Sequence, residues 1–392
     1  MKPLERLTIL DLSRVLACPF ASMILAELGA RVIKVEQPGS GDETRGFEPQ
    51  LARDSAYYFA CNRSKESVTV NLRSPDGAQV IRGLAQKADV LVENFPVGTL
   101  GRHALDFASL SALNPRLVYV SCTGFGQTGP YARKKGYDTV FQAMGGIMSL
   151  TGERGGGPVK PGLPVADLTS GLWVAIAILA SLAGREKTGS GCHVDFSMLD
   201  GQVSLLTLAA ARYFALGEIP PRLGTEHPGR VPSATFRTKD GRFAHVTASD
   251  QHWLPLCKAL GIERWGAAYP DNAARVAKRD EVMRELTERI SLLSRSELIE
   301  KLDAADVPVG PVNDVAEILA DPHVRARRLV GSFDYPGVGE FRALALPYKF
   351  LGFDDPELGA PPALGEHTQA VLSELLGYSP ERIAELREKR AI

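Results

Sequence analysis

The feature that most constrains the fold is an alternation of apolar, β-branched runs with helical patterns over the first 200 residues. The runs fall at residues 7–12, 31–36, 67–72, 90–95 and 117–122. Helical patterns lie between them, and each ends at a glycine or a polar turn. Nearly continuous apolar strands separated by helices are typical of a parallel sheet covered on both faces. Ligands of such sheets bind at the carboxyl ends of the strands.

The rest of the chain predicts a second, smaller domain. A long helix falls within residues 162–185, and a strand at 193–198 precedes a single helix over 199–216. Residues 217–232 are rich in glycine and proline, as linkers are. Two β-rich runs around Asp240 and Gly241 then predict a hairpin. We therefore expect three segments: residues 1–216 as the large domain, residues 225–320 as the small domain, and residues 321–392 returning to the large domain.

Charge and cysteine usage exclude several classes of function. The 45 basic and 46 acidic side chains nearly cancel, so the net charge of −1 predicts no binding to nucleic acid or to an anionic membrane. The five cysteines show no CxxC spacing, which predicts reduced thiols and no metal site. The start of the chain lacks a signal-peptide layout, and the longest apolar stretch, residues 172–183, is too short to span a bilayer. We expect a cytoplasmic protein.

Two polar clusters follow predicted strands. A glycine-rich turn holding Asp42, Thr44 and Arg45 follows the second run, and its backbone amides suit either a phosphate or a plain structural turn. A basic cluster gathers Asn62, Arg63, Lys65 and Arg73 around the third run. It suits phosphates of a nucleotide-like ligand or a solvated surface. The residue types leave both pairs of interpretations open.

Asp167 stands where a Gly/Pro-rich loop enters a strongly apolar helix, in the segment PGLPVADLTSG. An aspartate in the first turn of a helix commonly stabilises the helix end by about 1 kcal/mol. The alternative is a carboxylate aimed into a cleft, with Tyr137 nearby. The local pattern alone favours the structural interpretation.

Taken together, these segments resemble the class III CoA-transferases. The resemblance runs from the N-terminus to the LGEHT segment near the end of the chain. It is carried by LDLSRVLACPFASMILAELGARVIKVEQPGSGDETR, NRSKESVTVNL, VENF, TGFGQTGP and VADLTSG. This resemblance implies that Asp167 is the catalytic nucleophile.

The resemblance also implies the architecture and the residues that bind coenzyme A. The fold would be a Rossmann-like large domain with a smaller α+β domain, in an interlocked homodimer. Gln37 stands where formyl-CoA transferase has an arginine, which Arg14 would replace. The implied CoA-binding positions are Val15, Leu16, Ala17, Gln37, Val70, Arg73, Asn94, Phe95, Arg102, Lys135 and Tyr137.

The implied chemistry needs acyl-CoA and a carboxylic acid as substrates, and no permanently bound cofactor or metal. Asp167 would attack a thioester to form an acyl–aspartyl anhydride, and the released CoA thiolate would convert it to an aspartyl-CoA thioester. Backbone amides at the helix start near Asp167 would stabilise the oxyanions.

Alternatives remain within and beyond this family. An α-methylacyl-CoA racemase needs a histidine about 30 residues before the aspartate, where this chain has Tyr137, a poor base. A non-catalytic CoA-binding module would tolerate loss of Asp167.

Among acids, formyl/oxalate, carnitine-like and aromatic substrates compete with C4–C6 dicarboxylates and succinyl-CoA as donor. The segments RVLACPF, NRSK and LGTEHPGRVP are similar to the succinate–glutarate type. His227 and Arg230 are then candidates for holding a distal carboxylate.

Overall fold

Thirteen strands and eighteen α-helices form the regular structure, in a computed structural model that describes residues Met1–Ile392. The strands are β1 (Thr8–Asp11), β2 (Arg31–Glu36), β3 (Gln50–Leu51), β4 (Asp54–Ser55), β5 (Glu66–Thr69), β6 (Val90–Glu93), β7 (Val118–Thr123), β8 (His193–Ser197), β9 (Ser233–Arg237), β10 (Phe243–Thr247), β11 (Val309–Pro311), β12 (Val330–Tyr335) and β13 (Gly339–Leu344).

The helices connect and cover these strands. They are α1 (Ala17–Glu27), α2 (Ala56–Asn62), α3 (Pro75–Ala85), α4 (Phe107–Leu113), α5 (Asp138–Met144), α6 (Ile147–Leu150), α7 (Val165–Thr188), α8 (Met198–Ser204), α9 (Thr207–Leu216), α10 (Asp250–Ala259), α11 (Glu263–Ala268), α12 (Asn272–Ala277), α13 (Arg279–Ile290), α14 (Arg295–Asp303), α15 (Val315–Ala320), α16 (Pro322–Ala326), α17 (Thr368–Leu376) and α18 (Pro380–Glu388).

The chain forms two compact units. The larger unit consists of Met1–Ile147, Pro161–Ala211 and His323–Ile392, and the smaller unit of Met148–Lys160 and Arg212–Pro322. The boundaries differ from the predicted ones mainly in two segments: residues 148–160 and residues 212–216 were expected in the large domain yet belong to the smaller unit. The backbone bond from Gly224 N to Gly152 O, at 2.9 Å, links residues 148–160 to the rest of the smaller unit. Within this segment, Val159 N donates to Thr151 O at 2.9 Å.

A six-stranded, all-parallel sheet forms the centre of the larger unit. Its strand order is β5-β2-β1-β6-β7-β8, so the order reverses between β1 and β6. Ile9 of β1 pairs with Val32 on one side and with Val90 on the other. In open α/β sheets, ligands bind in the crevice at such a reversal. The five apolar runs, together with the strand predicted at 193–198, correspond to the six strands of this sheet.

The two faces of the sheet carry separate cores, because successive residues of a strand point to opposite faces. Leu10, Ile33 and Leu91 belong to one core, which also contains residues of α3, α17 and α18. Ile9, Val32 and Val90 belong to the other, which contains residues of α1 and α7. The segment after residue 321 therefore supplies helices that cover the sheet of the larger unit.

The smaller unit is built on the antiparallel sheet β11-β10-β9. The hairpin predicted around Asp240 and Gly241 joins β9 to β10, with Phe243 paired to Arg237. Trp253, Leu286 and Leu298 of α10, α13 and α14 are fully or almost fully buried in its core.

One helix prediction and the predicted length of one apolar stretch were wrong in detail. The single helix expected over 199–216 is two helices, α8 and α9, separated at Leu205 and Leu206, where α8 ends with backbone bonds from Leu205 N to Gln202 O and from Leu206 N to Val203 O. The apolar stretch at 172–183 is only part of α7, whose 24 residues are long and apolar enough to cross a membrane by length and composition alone. One side of α7, with Ala166, Val174 and Ile178, packs in the core of the larger unit, the position of a core helix.

Candidate active site

Asp167 lies in the first turn of α7, and its side chain is half-buried. Neither a hydrogen bond nor an ion pair holds its carboxylate. Burial, and then the negative charge of Asp138, raise the pKa of Asp167 to about 7. Ordinary helix-end aspartates interact with the amides of their own helix, whereas this one does not. A half-buried carboxylate with a raised pKa is typical of a functional site rather than of a structural cap.

The amides at the start of α7 are already occupied, which corrects the expectation that they stabilise an oxyanion. Asp138 Oδ1 accepts from the backbone N–H of Ala166 at 2.8 Å and of Asp167 at 3.2 Å. Val165 N donates to Leu163 O at 2.8 Å, and Leu168 N to Pro164 O at 3.0 Å. None of the first four amides of α7 is left to bind a ligand.

The start of α1 lies against α7 one helical turn beyond Asp167. Gly171 makes this approach possible, since a Cβ there would lie 2.6 Å from Ala17 O and 2.9 Å from Phe20 Cδ1. Residues four apart share one face of a helix, so Gly171 and Asp167 point the same way. The amides of Leu16 and Ala17 at the start of α1 donate to no acceptor of the chain. They are free donors on a helix that packs against α7.

The Val15–Ala17 turn is held in an unusual conformation. Val15 has φ of 70°, a region that β-branched residues rarely adopt. The side chain of Asn94 binds both backbone polar groups of Arg14, the residue before Val15. Its Oδ1 accepts from Arg14 N at 2.9 Å, and its Nδ2 donates to Arg14 O at 2.8 Å. Val15 N donates to the carboxylate of Asp42, at 3.2 Å from Oδ2. Asn94 therefore acts in this structure by shaping the loop after β1.

A cavity of about 550 Å³ opens at the carboxyl ends of β1, β2, β5 and β6. This is the reversal point of the strand order, and the volume is ordinary for a ligand site. Four of the predicted CoA-binding residues meet there, together with Arg14 and with His103, which sequence reasoning missed. The predicted residues in its lining are Gln37, Val70, Arg73 and Phe95.

Unpaired cations lie in and beside this cavity. Arg73 lines it, Arg102 precedes the lining residue His103, and both side chains are exposed and without a carboxylate partner. Arg14 lies over the ring of Phe95, 5.1 Å from its centroid, and its Nη1 is 3.0 Å from Glu43 Oε1. Arg14 thus shares the cavity with Gln37, where it was expected to replace the missing arginine.

Asn62, Arg63 and Lys65 of the same cluster are buried and not available to a ligand, so for these three members both interpretations were wrong, whereas Arg73 remains exposed. Arg63 is buried and paired with Glu27 at 2.7 Å. Lys65 is fully buried, and its Nζ donates to Asn62 Oδ1 at 2.9 Å and lies 3.2 Å from Asp11 Oδ2. These three side chains are internal to the larger unit, neither phosphate ligands nor solvated surface.

Lys135 and Tyr137 belong to the segment that leads to Asp138. Both side chains are exposed, Tyr137 to 80%, and neither lines the cavity. The segment is fixed by Phe141, whose ring lies against two glycines. A Cβ at Gly136 would lie 2.5 Å from that ring, and one at Gly124 would lie 2.6 Å from it. This packing places Tyr137 at the start of α5 and Asp138 against α7.

The candidate acid-binding residues His227 and Arg230 belong to the smaller unit and are exposed. Gly229 N donates to His227 Nδ1 at 3.1 Å, which fixes the histidine ring. Asn272 binds the backbone on both sides of Arg230: its Nδ2 donates to Gly229 O at 2.9 Å, and its Oδ1 accepts from Val231 N at 3.1 Å. A fixed backbone therefore presents an exposed guanidinium.

The raised pKa of Asp167 predicts a pH-dependent gain in stability for Asp167→Asn. An unfolded aspartate ionises above a pH of about 4, whereas folded Asp167 ionises only near pH 7. Between about pH 4 and pH 7 the folded state therefore binds more protons than the unfolded state. The contribution of Asp167 to the free energy of unfolding becomes less favourable as pH rises through this range, and it is most unfavourable above pH 7. We expect the melting temperature of Asp167→Asn to match wild type near pH 4 and to exceed it at pH 8. An equal difference at both pH values would show that Asp167 ionises normally.

Comparisons with known proteins show the family to which the chain belongs. The model of CoA-transferase family III matches residues 4–368. The human succinyl-CoA:glutarate CoA-transferase is 39% identical over 98% of this chain and 89% of its own length. The succinate–glutarate CoA-transferase of Agrobacterium fabrum is 39% identical over 95% of this chain and 96% of its own. A CAIB/BAIF family protein from Brucella suis, a solved structure, is 40% identical with a TM-score of 0.86, and the match covers 95% of this chain and 99% of that one. The chain therefore belongs to CoA-transferase family III and is an enzyme of the CoA-transferase type.

Proposed function

We propose that the chain transfers CoA from succinyl-CoA to a C4–C6 dicarboxylic acid, with Asp167 as the residue that carries the acyl group and then CoA. The observation that carries this proposal is the half-buried Asp167 carboxylate, which no partner within the chain neutralises. A carboxylate that is free of partners is available to attack a thioester, and its raised pKa makes the ionised form a stronger nucleophile.

The reaction proceeds through two covalent forms of Asp167. An Asp167 oxygen bonds to the acyl carbon of the donor while the C–S bond breaks, and CoA leaves as the thiolate. The thiolate then attacks the aspartyl carbonyl, which releases the donor acid and leaves an aspartyl-CoA thioester. The acceptor carboxylate then attacks the aspartyl-CoA thioester, which forms a new anhydride and releases the CoA thiolate. The thiolate attacks the acyl carbonyl of this anhydride, which gives the new acyl-CoA and frees Asp167. Each attack creates an oxyanion, for which we propose the free amides of Leu16 and Ala17 as donors.

The cavity at the strand ends is proposed to bind the nucleotide part of CoA. Arg73 and Arg102 are exposed and unpaired, as phosphate-binding arginines need to be. Phe95 and Val70 supply apolar surface for the adenine or the pantetheine. Arg14 lies in the same cavity as Gln37 and supplies a cation where Gln37 cannot.

The racemase alternative lacks its second base in this chain. Tyr137 occupies the sequence position of the histidine that a racemase needs, and its side chain is 80% exposed. The phenol of a tyrosine is a poor base toward the α-proton of a thioester. A binding module without catalysis would make no use of an unpartnered carboxylate at Asp167.

Asp167→Ala should abolish CoA exchange and leave the protein folded, since the side chain contributes little to the core. Wild-type enzyme incubated with succinyl-CoA and hydroxylamine should yield a hydroxamate at Asp167, because hydroxylamine attacks both the anhydride and the thioester. Peptide mass spectrometry locates the modification. Asp271→Asn, at an exposed cap in the smaller unit, is the control and should label like wild type. Label at another residue, or a tenth of the activity left in Asp167→Ala, would refute the covalent scheme.

The dicarboxylate proposal rests on the similarity to succinate–glutarate enzymes and on the exposed, rigidly presented Arg230. A charged hydrogen bond of about 1.5–3 kcal/mol is lost in Arg230→Met, so KM for succinate or glutarate should rise roughly 10- to 100-fold. Monocarboxylate acceptors should change far less. The measurement is a mass-spectrometric screen of CoA transfer from succinyl-CoA to a panel of acids, including oxalate, carnitine and aromatic acids.

The control is Arg237→Met, an exposed arginine on β9 of the same unit. It should leave KM for every acid unchanged. If Arg230→Met raises KM for monocarboxylates as much as for dicarboxylates, Arg230 only shapes its loop. If monocarboxylates are the better acceptors for wild type, the dicarboxylate proposal fails.

We also propose that a second copy of this chain covers two exposed apolar surfaces. The first is on α7, where Leu172, Trp173, Ile176 and Leu179 are 38–53% exposed although they lie on an apolar helix. The second is α9, which has no buried residue and exposes Leu208 and Phe214. Apolar patches of this kind mark interfaces, and the family resemblance implies an interlocked homodimer.

Interlocked subunits cannot separate on dilution, whereas an ordinary dimer dissociates by mass action. Sedimentation velocity at nanomolar concentration should therefore show only dimers. Two dimers carrying different affinity tags should form no mixed dimer after days of incubation without denaturant. A folded monomer, or rapid exchange of tags, would contradict the interlocked assembly.

A further inference from the structure

We propose that Asp138 is a positioning residue for Asp167: it anchors the first turn of α7 and sets a second carboxylate beside the nucleophile, so that acylation of Asp167 removes a repulsion between two negative charges. The inference rests on the proposed role of Asp167 as the covalent carrier. Asp138 does not line the cavity, and no sequence pattern around it distinguishes it from an ordinary aspartate.

The geometry is that of a helix cap supplied from another helix. Asp138 opens α5, which packs against α7, and its Oδ1 accepts from Ala166 N at 2.8 Å and from Asp167 N at 3.2 Å. The residue that precedes α7 is Pro164, which has no side chain able to cap the helix. The position of Asp167 therefore depends on a carboxylate 29 residues earlier in the chain.

Asp138 is itself held in place at its second oxygen. Gln142 Nε2 donates to Asp138 Oδ2 at 2.6 Å and to Leu163 O at 3.3 Å. Gln142 is fully buried, and α5 is fixed by the packing of Phe141 on Gly124 and Gly136. Both oxygens of Asp138 accept hydrogen bonds, and no cation is paired with it. The negative charge thus stays close to Asp167 and is not neutralised.

No other group offsets this charge at Asp167. The titratable side chains on the elements packed against α7 are Cys18 and Glu27 of α1, Asp138 of α5, Asp200 of α8, and Tyr119 and Cys122 of β7. Glu27 is paired with Arg63, and Asp200 is exposed. Besides burial, Asp138 is the group that raises the pKa of Asp167.

The consequence for the reaction follows from the charge of each state. In the free enzyme, ionised Asp167 lies beside ionised Asp138, and the two repel each other. When an Asp167 oxygen bonds to an acyl carbon and the C–S bond breaks, the charge leaves with the CoA thiolate, and Asp167 becomes neutral. The same holds for the aspartyl-CoA thioester. Asp138 therefore favours both covalent forms over the free carboxylate.

The test separates the charge of Asp138 from its hydrogen bonds. Asp138→Asn removes the charge and keeps an oxygen that accepts from the amides of α7. Gln142, whose Oε1 has no partner, can rotate its amide to accept from the new side chain, at the cost of its longer bond to Leu163 O. We expect the acid limb of kcat/KM to move down by about one pH unit and the fraction of enzyme held as aspartyl-CoA thioester to fall about tenfold at a fixed ratio of acyl-CoA to acid. Asp138→Ala should show both changes and a lower melting temperature as well.

Two further variants keep the test decisive. Asp138→Ser is a second neutral cap, for use if Asp138→Asn does not fold. Asp271→Asn removes the charge of an aspartate that caps α12 in the smaller unit, where Oδ1 accepts from Ala274 N at 2.8 Å, and should leave the pH profile unchanged.

The proposal would be overturned if both neutral variants had the same acid limb of the kcat/KM profile as wild type and the same fraction of enzyme held as aspartyl-CoA thioester. Failure of the proposed function looks different, because wild type itself would then form no covalent adduct. The pairing of the carboxylates would still be tested in the ligand-free enzyme by ¹³C NMR of labelled aspartate. The Asp167 signal, identified by its loss in Asp167→Asn, should titrate at lower pH in Asp138→Asn, and an unchanged titration would refute the coupling.

Discussion

A buried ion pair between Lys34 and Asp42 shapes the floor of the cavity on which the rest of the site depends. Lys34 Nζ lies 2.9 Å from Asp42 Oδ2 and donates to Ser13 O at 3.0 Å, and both charged side chains are fully buried. Burial opposes the charge of Lys34, but Asp42 and Asp11 outweigh it and raise the lysine pKa to about 12. Removing one partner would leave an uncompensated buried charge, which typically costs about 3–5 kcal/mol. The pair thus fixes the loops after β1 and β2 against each other.

From this pair, a continuous series of contacts leads to Asp167. Asp42 accepts from Val15 N, and so holds the strained turn that precedes α1. The start of α1 then touches α7 at Gly171, one turn from Asp167, the proposed nucleophile. A reacting carboxylate must stay within a fraction of an ångström of its productive position. Contacts that are buried and charged or backbone-to-backbone give this site more rigidity than exposed side chains would.

The sheet and its strands could be predicted because their signal is local. An apolar run of five or six residues reports its own burial, and the order of runs and helices limits the topology. The fates of Arg63 and Lys65 could not be predicted, because their partners Glu27 and Asp11 lie 36 and 54 residues away. The same limit applied to Asp138, which follows Tyr137 without any distinguishing pattern. The prediction of Asp167 as the nucleophile rests on the family resemblance, since its local pattern is that of an ordinary helix start.

For the proposed covalent role of Asp167, its environment is a compromise between ionisation and reactivity. A carboxylate in water is almost fully ionised at neutral pH, but hydration makes it a weak nucleophile and exposes its anhydride to hydrolysis. Half-burial next to Asp138 raises the pKa to about 7, which leaves about half of the groups ionised at that pH and makes each of them more reactive. Deeper burial would lose the ionised form, and an arginine partner would lower the pKa and stabilise the free carboxylate against acylation. A second carboxylate that accepts from α7's own amides avoids both outcomes, because it adds repulsion while it holds the helix in place.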